Sequence, residues 1–194
     1  MSITRKLALV WLRWQGLALL VLGRQEAALE RFEAMRVQDP QNAYALASTA
    51  QIESQLGRAD RALALQQALT RLAPEQAHAW FNYGFMLEAA GRLEEAEHAF
   101  REATRLSPKL DRAWYGLGLT LIRLRRFDEA VEALRRNTEL QPMSPYGWYQ
   151  LARVHVDRHE PQEAEKIILH LRQFEPKVAA QLERETGLRP AQPA

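Results

Sequence analysis

Apolar residues recur along the chain at intervals of three and four residues, in stretches separated by short polar segments that contain glycine or proline. Trp80, Tyr83, Gly84 and Leu87 show this spacing, which places all four on one side of an α-helix. The small residue among them would let neighbouring helix axes approach closely. The pattern predicts an all-α protein of about ten amphipathic helices that share one elongated core.

The same pattern returns with a period of 34 residues. Closing prolines mark the period, at Pro40, Pro74, Pro108, Pro142 and Pro176. The periods begin at Leu9, Ala43, Ala77, Asp111 and Pro145. Their fourth place is large, at Leu12, Leu46, Trp80, Trp114 and Trp148. Their eighth place is small, at Gly16, Ala50, Gly84, Gly118 and Ala152, and their twentieth is Ala28, Ala62, Ala96, Ala130 and Ala164. A strict period of this kind indicates stacked repeats, because one helical hairpin cannot bury its own apolar face.

These places resemble those of the tetratricopeptide repeat, over about residues 9–178. The resemblance implies a right-handed α-solenoid of antiparallel helix pairs, with repeats 1 to 5 at residues 9–42, 43–76, 77–110, 111–144 and 145–178. We expect a single domain over residues 1–188, which ends in a short capping helix at 177–188 with Val178 and Leu182 facing the last repeat. Residues 189–194 are expected to form a disordered tail.

Glycine ends the first helix of repeats 1 to 3, at Gly23, Gly57 and Gly91, because glycine alone adopts a left-handed cap without cost. Arg125 and His159 replace that glycine in repeats 4 and 5. We therefore expect those two turns to be strained or differently shaped.

In this family the first helix of each repeat lines the concave side of the solenoid, and the resemblance implies that its second, fifth, sixth and ninth places are exposed there. Aromatic, amide and guanidinium groups at these places suit a peptide or protein ligand, since aromatics give contact area and guanidinium groups bind acids. The predicted binding residues are Tyr44, His78, Phe81, Asn82, Phe85, Arg112, Tyr115, Tyr146, Tyr149 and Arg153. The alternative is that Phe81, Phe85 and Tyr115 only pack between adjacent first helices.

The apolar run from Leu7 to Leu22 follows Arg5 and Lys6 and so has the outline of a targeting signal. Arg13 interrupts it after six residues, whereas a signal core needs roughly 7–15 apolar residues and a membrane span about 20. We expect the run to form the first helix of repeat 1, because it also supplies the large and small residues of that repeat.

This first helix has apolar residues beyond those that the repeat needs, and two interpretations stay open. Residues 1–8 fold back and cover them, or they form a contact patch for another copy, another partner or a membrane surface. The residues proposed for self-association are Trp11, Trp14, Leu17 and Val21.

Charge and composition exclude several classes of function. The formal net charge is +2, from 26 basic and 24 acidic residues, so no nucleic-acid partner is expected. The absence of cysteine excludes disulfides, thiolate metal ligands and cysteine nucleophiles. His155 and His159 are four residues apart but lack a third ligand, and no phosphate-binding loop or nucleophile motif occurs. We expect no metal, no cofactor and no enzymatic activity.

The resulting prediction is a non-enzymatic adaptor that binds a peptide or protein segment in its concave groove and assists assembly, recruitment or secretion of a complex. The alternative is a self-assembling scaffold, a homo-oligomer in which the apolar N-terminal helix docks on another copy. No membrane contact is expected. The expected location is cytoplasmic, with a periplasmic or membrane-associated one as the alternative. The use of 22 arginines against four lysines is typical of a GC-rich bacterial genome.

Overall fold

A computed structural model describes residues 3–190 of the chain and contains only α-helices and connecting segments in that range. The eleven helices of this part are α1 Ile3–Val21, α2 Gln25–Gln38, α3 Ala43–Gln55, α4 Ala59–Leu72, α5 Ala77–Ala89, α6 Leu93–Leu106, α7 Asp111–Arg123, α8 Phe127–Leu140, α9 Pro145–Asp157, α10 Pro161–Phe174 and α11 Pro176–Thr186. Helices α3, α5, α7 and α9 begin at the residues where repeats 2 to 5 are predicted to begin.

The chain divides into two compact units, Met1–Gly91 and Arg92–Ala194. The first contains α1 to α5, and the second contains α6 to α11. Within each unit every helix packs on the next one along the chain, and α11 packs on both α9 and α10. The single domain over residues 1–188 stays a prediction.

Small residues let paired helices approach closely. The five alanines of the twentieth place are at most 1% exposed. A Cβ added at Gly16 of α1 would lie 2.6 Å from Phe32 of α2, and one at Gly118 of α7 would lie 2.7 Å from Leu134 of α8. In the first unit, Phe32 is packed in a core with Leu9 and Ile52. The eighth place is therefore small in repeats 1 and 4 because a side chain of the partner helix occupies the space.

Each fourth-place tryptophan is bonded to the end of the preceding repeat. The indole Nε1 of Trp80 donates to the carbonyl oxygen of Pro74 at 2.8 Å. Trp114 donates to Pro108 at 3.0 Å, and Trp148 donates to Pro142 at 2.9 Å. In these three repeats the closing proline of one repeat thus accepts a hydrogen bond from the large fourth residue of the next. This contact fixes the starts of α5, α7 and α9.

The turns after the first helices have one shape in all five repeats. Gly23, Gly57 and Gly91 have φ angles of 70°, 75° and 75°, while Arg125 and His159 have φ angles of 59° and 60°. Left-handed backbone is costly for a residue with a Cβ. The two turns without glycine are therefore strained, as expected, but they do not differ in shape.

The N-terminus differs from one expectation. One of the two interpretations left open, that residues 1–8 fold back over the first helix, is wrong for residues 3–8, which extend α1 as regular helix. Met1 and Ser2 lie outside the described residues. Helix propagation adds one backbone hydrogen bond for each residue ordered, and no turn residue precedes Leu9 to stop it. Among residues 3–190, no helix has the length and hydropathy that crossing a bilayer requires.

The C-terminal capping helix is present as α11, two residues shorter at its end than predicted, and Gly187 ends it with a φ of 74°. Leu182 is fully buried, whereas Val178 is half-buried. Arg189 and Pro190 of the predicted tail lie outside any helix, and Pro190 is buried. The rest of that tail, 191–194, lies outside the described residues.

Candidate functional site

Three tyrosines surround a pocket of about 270 Å³ in the second compact unit. Tyr115 comes from α7, and Tyr146 and Tyr149 come from α9. Tyr146 is 71% exposed, and the other two are half-buried. The remaining lining residues are Pro145, Gln150, Val178 and Gln181. We call this site the tyrosine pocket.

The repeat itself brings these rings together. Tyr115 and Tyr149 occupy the fifth place of successive repeats, and Tyr146 occupies the second place of the later one. Glycines beside the tyrosines bring the helix backbones close: a Cβ at Gly116 would lie 2.6 Å from Phe100, and one at Gly147 would collide with Asn137. The rings therefore project from helices that are packed tightly underneath.

A second pocket of about 330 Å³ adjoins the first and shares Tyr115 and Tyr146 with it. It adds the exposed Arg112 and the polar side chains of Asp111, Asn137, Gln141 and Ser144. Asn137 is buried, and its Nδ2 donates to the backbone oxygen of Asp111 at 2.9 Å. The tyrosine pocket is thus next to a second pocket whose polar side chains can hydrogen-bond a ligand.

Helix α11 closes the other side of the tyrosine pocket. The Tyr149 hydroxyl donates to Oε2 of Glu185 at 2.5 Å, and Gln181 donates to Oε1 of the same carboxylate at 2.8 Å. The hydrogen bond to Glu185 raises the pKa of Tyr149, and the same bond lowers the pKa of Glu185. The Arg153 guanidinium lies 5.8 Å from the centre of the Tyr149 ring. Sequence reasoning missed Val178, Gln181 and Glu185 as site residues, although it placed the capping helix on the last repeat.

The structure thus brings all five predicted binding residues of the second unit into one site. In the first unit, Tyr44 and Asn82 line a pocket of about 550 Å³. The Tyr44 ring, however, is half-buried between Phe32, with ring centroids 6.0 Å apart, and the guanidinium of Arg13, 4.2 Å from its centre. Tyr44 is therefore mainly a packing residue.

The other three predicted residues of the first unit do not join that pocket. Phe85 is 61% exposed and lines a separate pocket of about 150 Å³ between α3, α4 and α5. His78 is exposed and Phe81 is half-buried, and neither lines the pocket of Tyr44 and Asn82 or that of Phe85. In the first unit only Tyr44 and Asn82 therefore share a pocket among the predicted residues.

The predicted self-association residues lie along α1. Trp11, Trp14 and Val21 are exposed, and Leu17 is half-buried. They face away from α2, on which Leu9 and Gly16 pack.

The two histidines considered as metal ligands lie in different environments. His155 is buried, and its Nδ1 lies 2.7 Å from Oε2 of Glu160, while His159 is exposed on the strained turn. Within residues 3–190 no three histidine, aspartate or glutamate side chains are arranged to hold a metal ion.

Comparison with known proteins gives one family and one fold. The family model described as tetratricopeptide repeat matches residues 48–111, 87–142 and 115–173, together more than half of the chain. No curated protein sequence matches the chain significantly.

Among solved structures, a crystal structure of MamA protein is 17% identical and covers 95% of this chain and 98% of its own, with a TM-score of 0.81. MamA 41-end from Desulfovibrio magneticus RS-1 is 21% identical, with coverages of 95% and 98% and a TM-score of 0.78. YrrB, described as a TPR protein with an unusual peptide-binding site, is 16% identical, with coverages of 87% and 88% and a TM-score of 0.77. At these identities the likeness shows the fold, and it confirms the predicted all-α solenoid of helix pairs.

Proposed function

Because the chain belongs to the tetratricopeptide repeat family, we propose that it is a non-enzymatic adaptor that binds a peptide or protein segment in order to assemble, recruit or secrete a complex. The tyrosine pocket is the observation that supports this proposal most strongly. Three aromatic rings on tightly packed helices offer a large contact area, and their side chains lose little conformational entropy on binding. No feature of the tyrosine pocket supports catalysis on a small molecule to a comparable degree.

The ligand that fits best is an extended segment with one apolar anchor. The anchor side chain would enter between the rings of Tyr115, Tyr146 and Tyr149. Gln141 and Gln150 offer amide groups to the ligand backbone, and the exposed Arg112 and Arg153 can reach a carboxylate on either side.

The first compact unit is a weaker candidate for the contact. Tyr44 already packs against Phe32 and Arg13, and Phe85 lines a different pocket from Asn82. We therefore limit the proposed binding site to residues of the second unit. The cytoplasmic location stays a prediction.

A self-assembling scaffold is not favoured as a second function. In that arrangement α1 of one copy would dock on the predicted groove of the next. The first 25 residues contain Arg5, Lys6, Arg13 and Arg24 but no acidic residue, while the site in the second unit contains two basic residues, Arg112 and Arg153, beside two acidic ones, Asp111 and Glu185. The site therefore has no net negative charge that would attract the basic α1 of another copy.

The test is a selection of displayed random peptides on the full chain, followed by measurement of Kd for the enriched peptides. We expect peptides with an apolar anchor beside acidic residues. Tyr146→Ala and Arg153→Glu change exposed side chains, and each should weaken binding by about tenfold or more if the pocket is a hot spot.

The matched control is Val37→Ala, which removes an exposed apolar side chain from α2 of the other unit and should leave Kd unchanged. Circular dichroism verifies that all variants are folded. A selection without enrichment, or peptides that bind Tyr146→Ala as tightly as the unmodified chain, would reject the tyrosine pocket as the binding site.

A further inference from the structure

The outer side of α1 is an apolar surface that no element among residues 3–190 covers. Seven of the eleven large apolar side chains that are exposed among residues 3–190 lie in one stretch of 20 residues, so they form a patch and are not scattered. They are Ile3, Leu7, Val10, Trp11, Trp14, Val21 and Leu22. Intervals of three, four and seven residues place the first six on one side of α1, and Leu22 directly follows the end of the helix. We call this side the α1 outer face.

The outer face is not needed to hold α1 in the fold. The opposite side of the helix contains Leu9 and Gly16, which are buried against α2. Trp11 and Trp14 remain 65% and 64% exposed. A helix of 19 residues is about 28 Å long, so the apolar patch extends over about that distance.

The outer face is not shaped to receive another repeat. Trp11 occupies the third place of repeat 1, where repeats 2 to 5 have buried small residues, namely Ala45, Ala79, Ala113 and Gly147. That place adjoins the preceding helix: the backbone oxygen of Ala79 accepts a hydrogen bond from Gln66 of α4 at 2.9 Å. An indole at the same place would hold a stacking helix away from α1. A second copy stacked in repeat geometry is therefore a poor occupant.

The charge around the outer face points to an anionic partner. Residues 1–25 contain four basic and no acidic residues, whereas the remaining residues contain 22 basic (26 minus 4) and 24 acidic ones. Lys6 and Arg13 are seven residues apart, so they lie along the same edge of the helix. The stretch that has the exposed apolar patch therefore has a net positive charge, because it contains no acidic residue.

We propose that the α1 outer face binds the surface of a membrane that contains anionic lipids, with the helix parallel to the membrane plane. Interfacial helices combine an apolar side containing tryptophan with basic residues, and indole rings favour the headgroup level. Lipid adapts to the irregular shape of Trp11 and Trp14, which a packed protein helix cannot do. This proposal replaces the expectation of no membrane contact, because residues 3–8 extend α1 and leave the patch uncovered.

The experiment is co-sedimentation of the full chain with vesicles of phosphatidylcholine alone and of phosphatidylcholine mixed with phosphatidylglycerol. We expect binding to the mixed vesicles, a blue shift of tryptophan fluorescence, and loss of binding as salt is raised. Trp11→Ala combined with Trp14→Ala should weaken binding by about tenfold or more and remove the blue shift. Lys6→Glu should weaken it by at least about fivefold, because each basic residue near the surface contributes about that factor.

The matched control is Val37→Ala combined with Phe85→Ala, which removes two exposed apolar side chains elsewhere and should bind vesicles normally. Absence of binding to the mixed vesicles at low salt would overturn the proposal. So would equal binding by the double tryptophan variant. A molecular mass that rises with concentration and falls on the tryptophan substitutions, without vesicle binding, would assign the face to a second copy. The tyrosine pocket is not involved, so this result is independent of the peptide-binding test.

Discussion

At the residue scale, the most constrained position is the alanine of the twentieth place. Its side chain is at most 1% exposed in all five repeats. No side chain larger than a methyl group fits there, so the alanine at this place is explained by packing and not by function.

Ala96→Leu should lower the free energy of unfolding by about 1–3 kcal/mol, because Ala96 of α6 is fully buried and a larger side chain has no space there. Urea denaturation followed by circular dichroism measures the change. Ala64→Leu is the control, since Ala64 is exposed on α4 and leucine is also a good helix former. Equal stability of the two variants would show that the assigned repeat places are wrong.

Backbone strain is stored at the two turns where glycine is replaced. His159→Gly should raise the free energy of unfolding by about 0.5–1 kcal/mol, since relief of the left-handed φ exceeds the entropy that glycine adds to the unfolded chain. Gly57→Ala is the reciprocal change and should cost about 1 kcal/mol, because no atom lies within 4 Å of the added Cβ and only backbone strain opposes it. A less stable His159→Gly variant would mean that the imidazole makes a contact that outweighs the strain.

The eleventh place of the repeat is leucine in repeats 1, 3 and 4, so the sequence marks the polar residues at this place of repeats 2 and 5 as exceptions, but it does not identify their partners. Glu53 is fully buried at this place and forms ion pairs with Arg58 at 3.3 Å and Arg61 at 3.1 Å. His155 is buried in the same way and contacts Glu160, five residues on. Arg58 and Glu160 both occupy the sixteenth place, just across the left-handed turn. The turn geometry brings the two places together, and sequence periodicity does not record that contact.

At the scale of the elements, the indole-to-carbonyl hydrogen bonds explain two signatures of the sequence together. Trp80, Trp114 and Trp148 each donate to the proline carbonyl six residues earlier. Repeats 1 and 2 have leucine at the fourth place and cannot form this bond. The connections that lead into α5, α7 and α9 are therefore fixed by a hydrogen bond in addition to packing.

The attachment of α11 to α9 should depend on pH through Tyr149 and Glu185. The folded pKa of Glu185 is lowered, so its contribution is present above the unfolded value of about 4.3 and is lost as pH falls through the folded pKa. The folded pKa of Tyr149 is raised, so its contribution is present below about 10 and is lost as pH rises through the folded pKa. Tyr149→Phe should therefore be less stable than the unmodified chain at neutral pH and equal to it at both extremes.

Thermal unfolding at acid, neutral and alkaline pH measures that difference. Tyr146→Phe is the control, because the Tyr146 hydroxyl has no hydrogen bond to any residue from 3 to 190 in the structure. A stability difference between Tyr149→Phe and the unmodified chain that is the same at every pH would refute the role of the ionised Glu185.

At the scale of the whole molecule, charge is divided along the chain in a way that the net value conceals. The formal charge of +2 consists of +4 in the first 25 residues and −2 in the remainder. The basic part coincides with the exposed apolar face of α1, and the tyrosine pocket belongs to the second compact unit. The two proposed contacts, with a membrane and with a peptide, therefore use different residues and can be removed separately by substitution.

The sequence by itself determined the repeats, the starts of α3, α5, α7 and α9, and the left-handed turns, because these depend on local spacing and on residue type. It also indicated the residues that lie at the proposed binding site of the second unit, since the places of one repeat return on the next helix. Only the tertiary structure decided that Tyr44 is occupied in packing and that α11 completes the tyrosine pocket. It alone showed that Trp11 and Trp14 are exposed to solvent. The course of residues 3–8 and the contacts of α11 depend on what packs against each helix. Burial of that kind is a property of neighbours, and a periodic sequence does not specify the neighbours of its first and last elements.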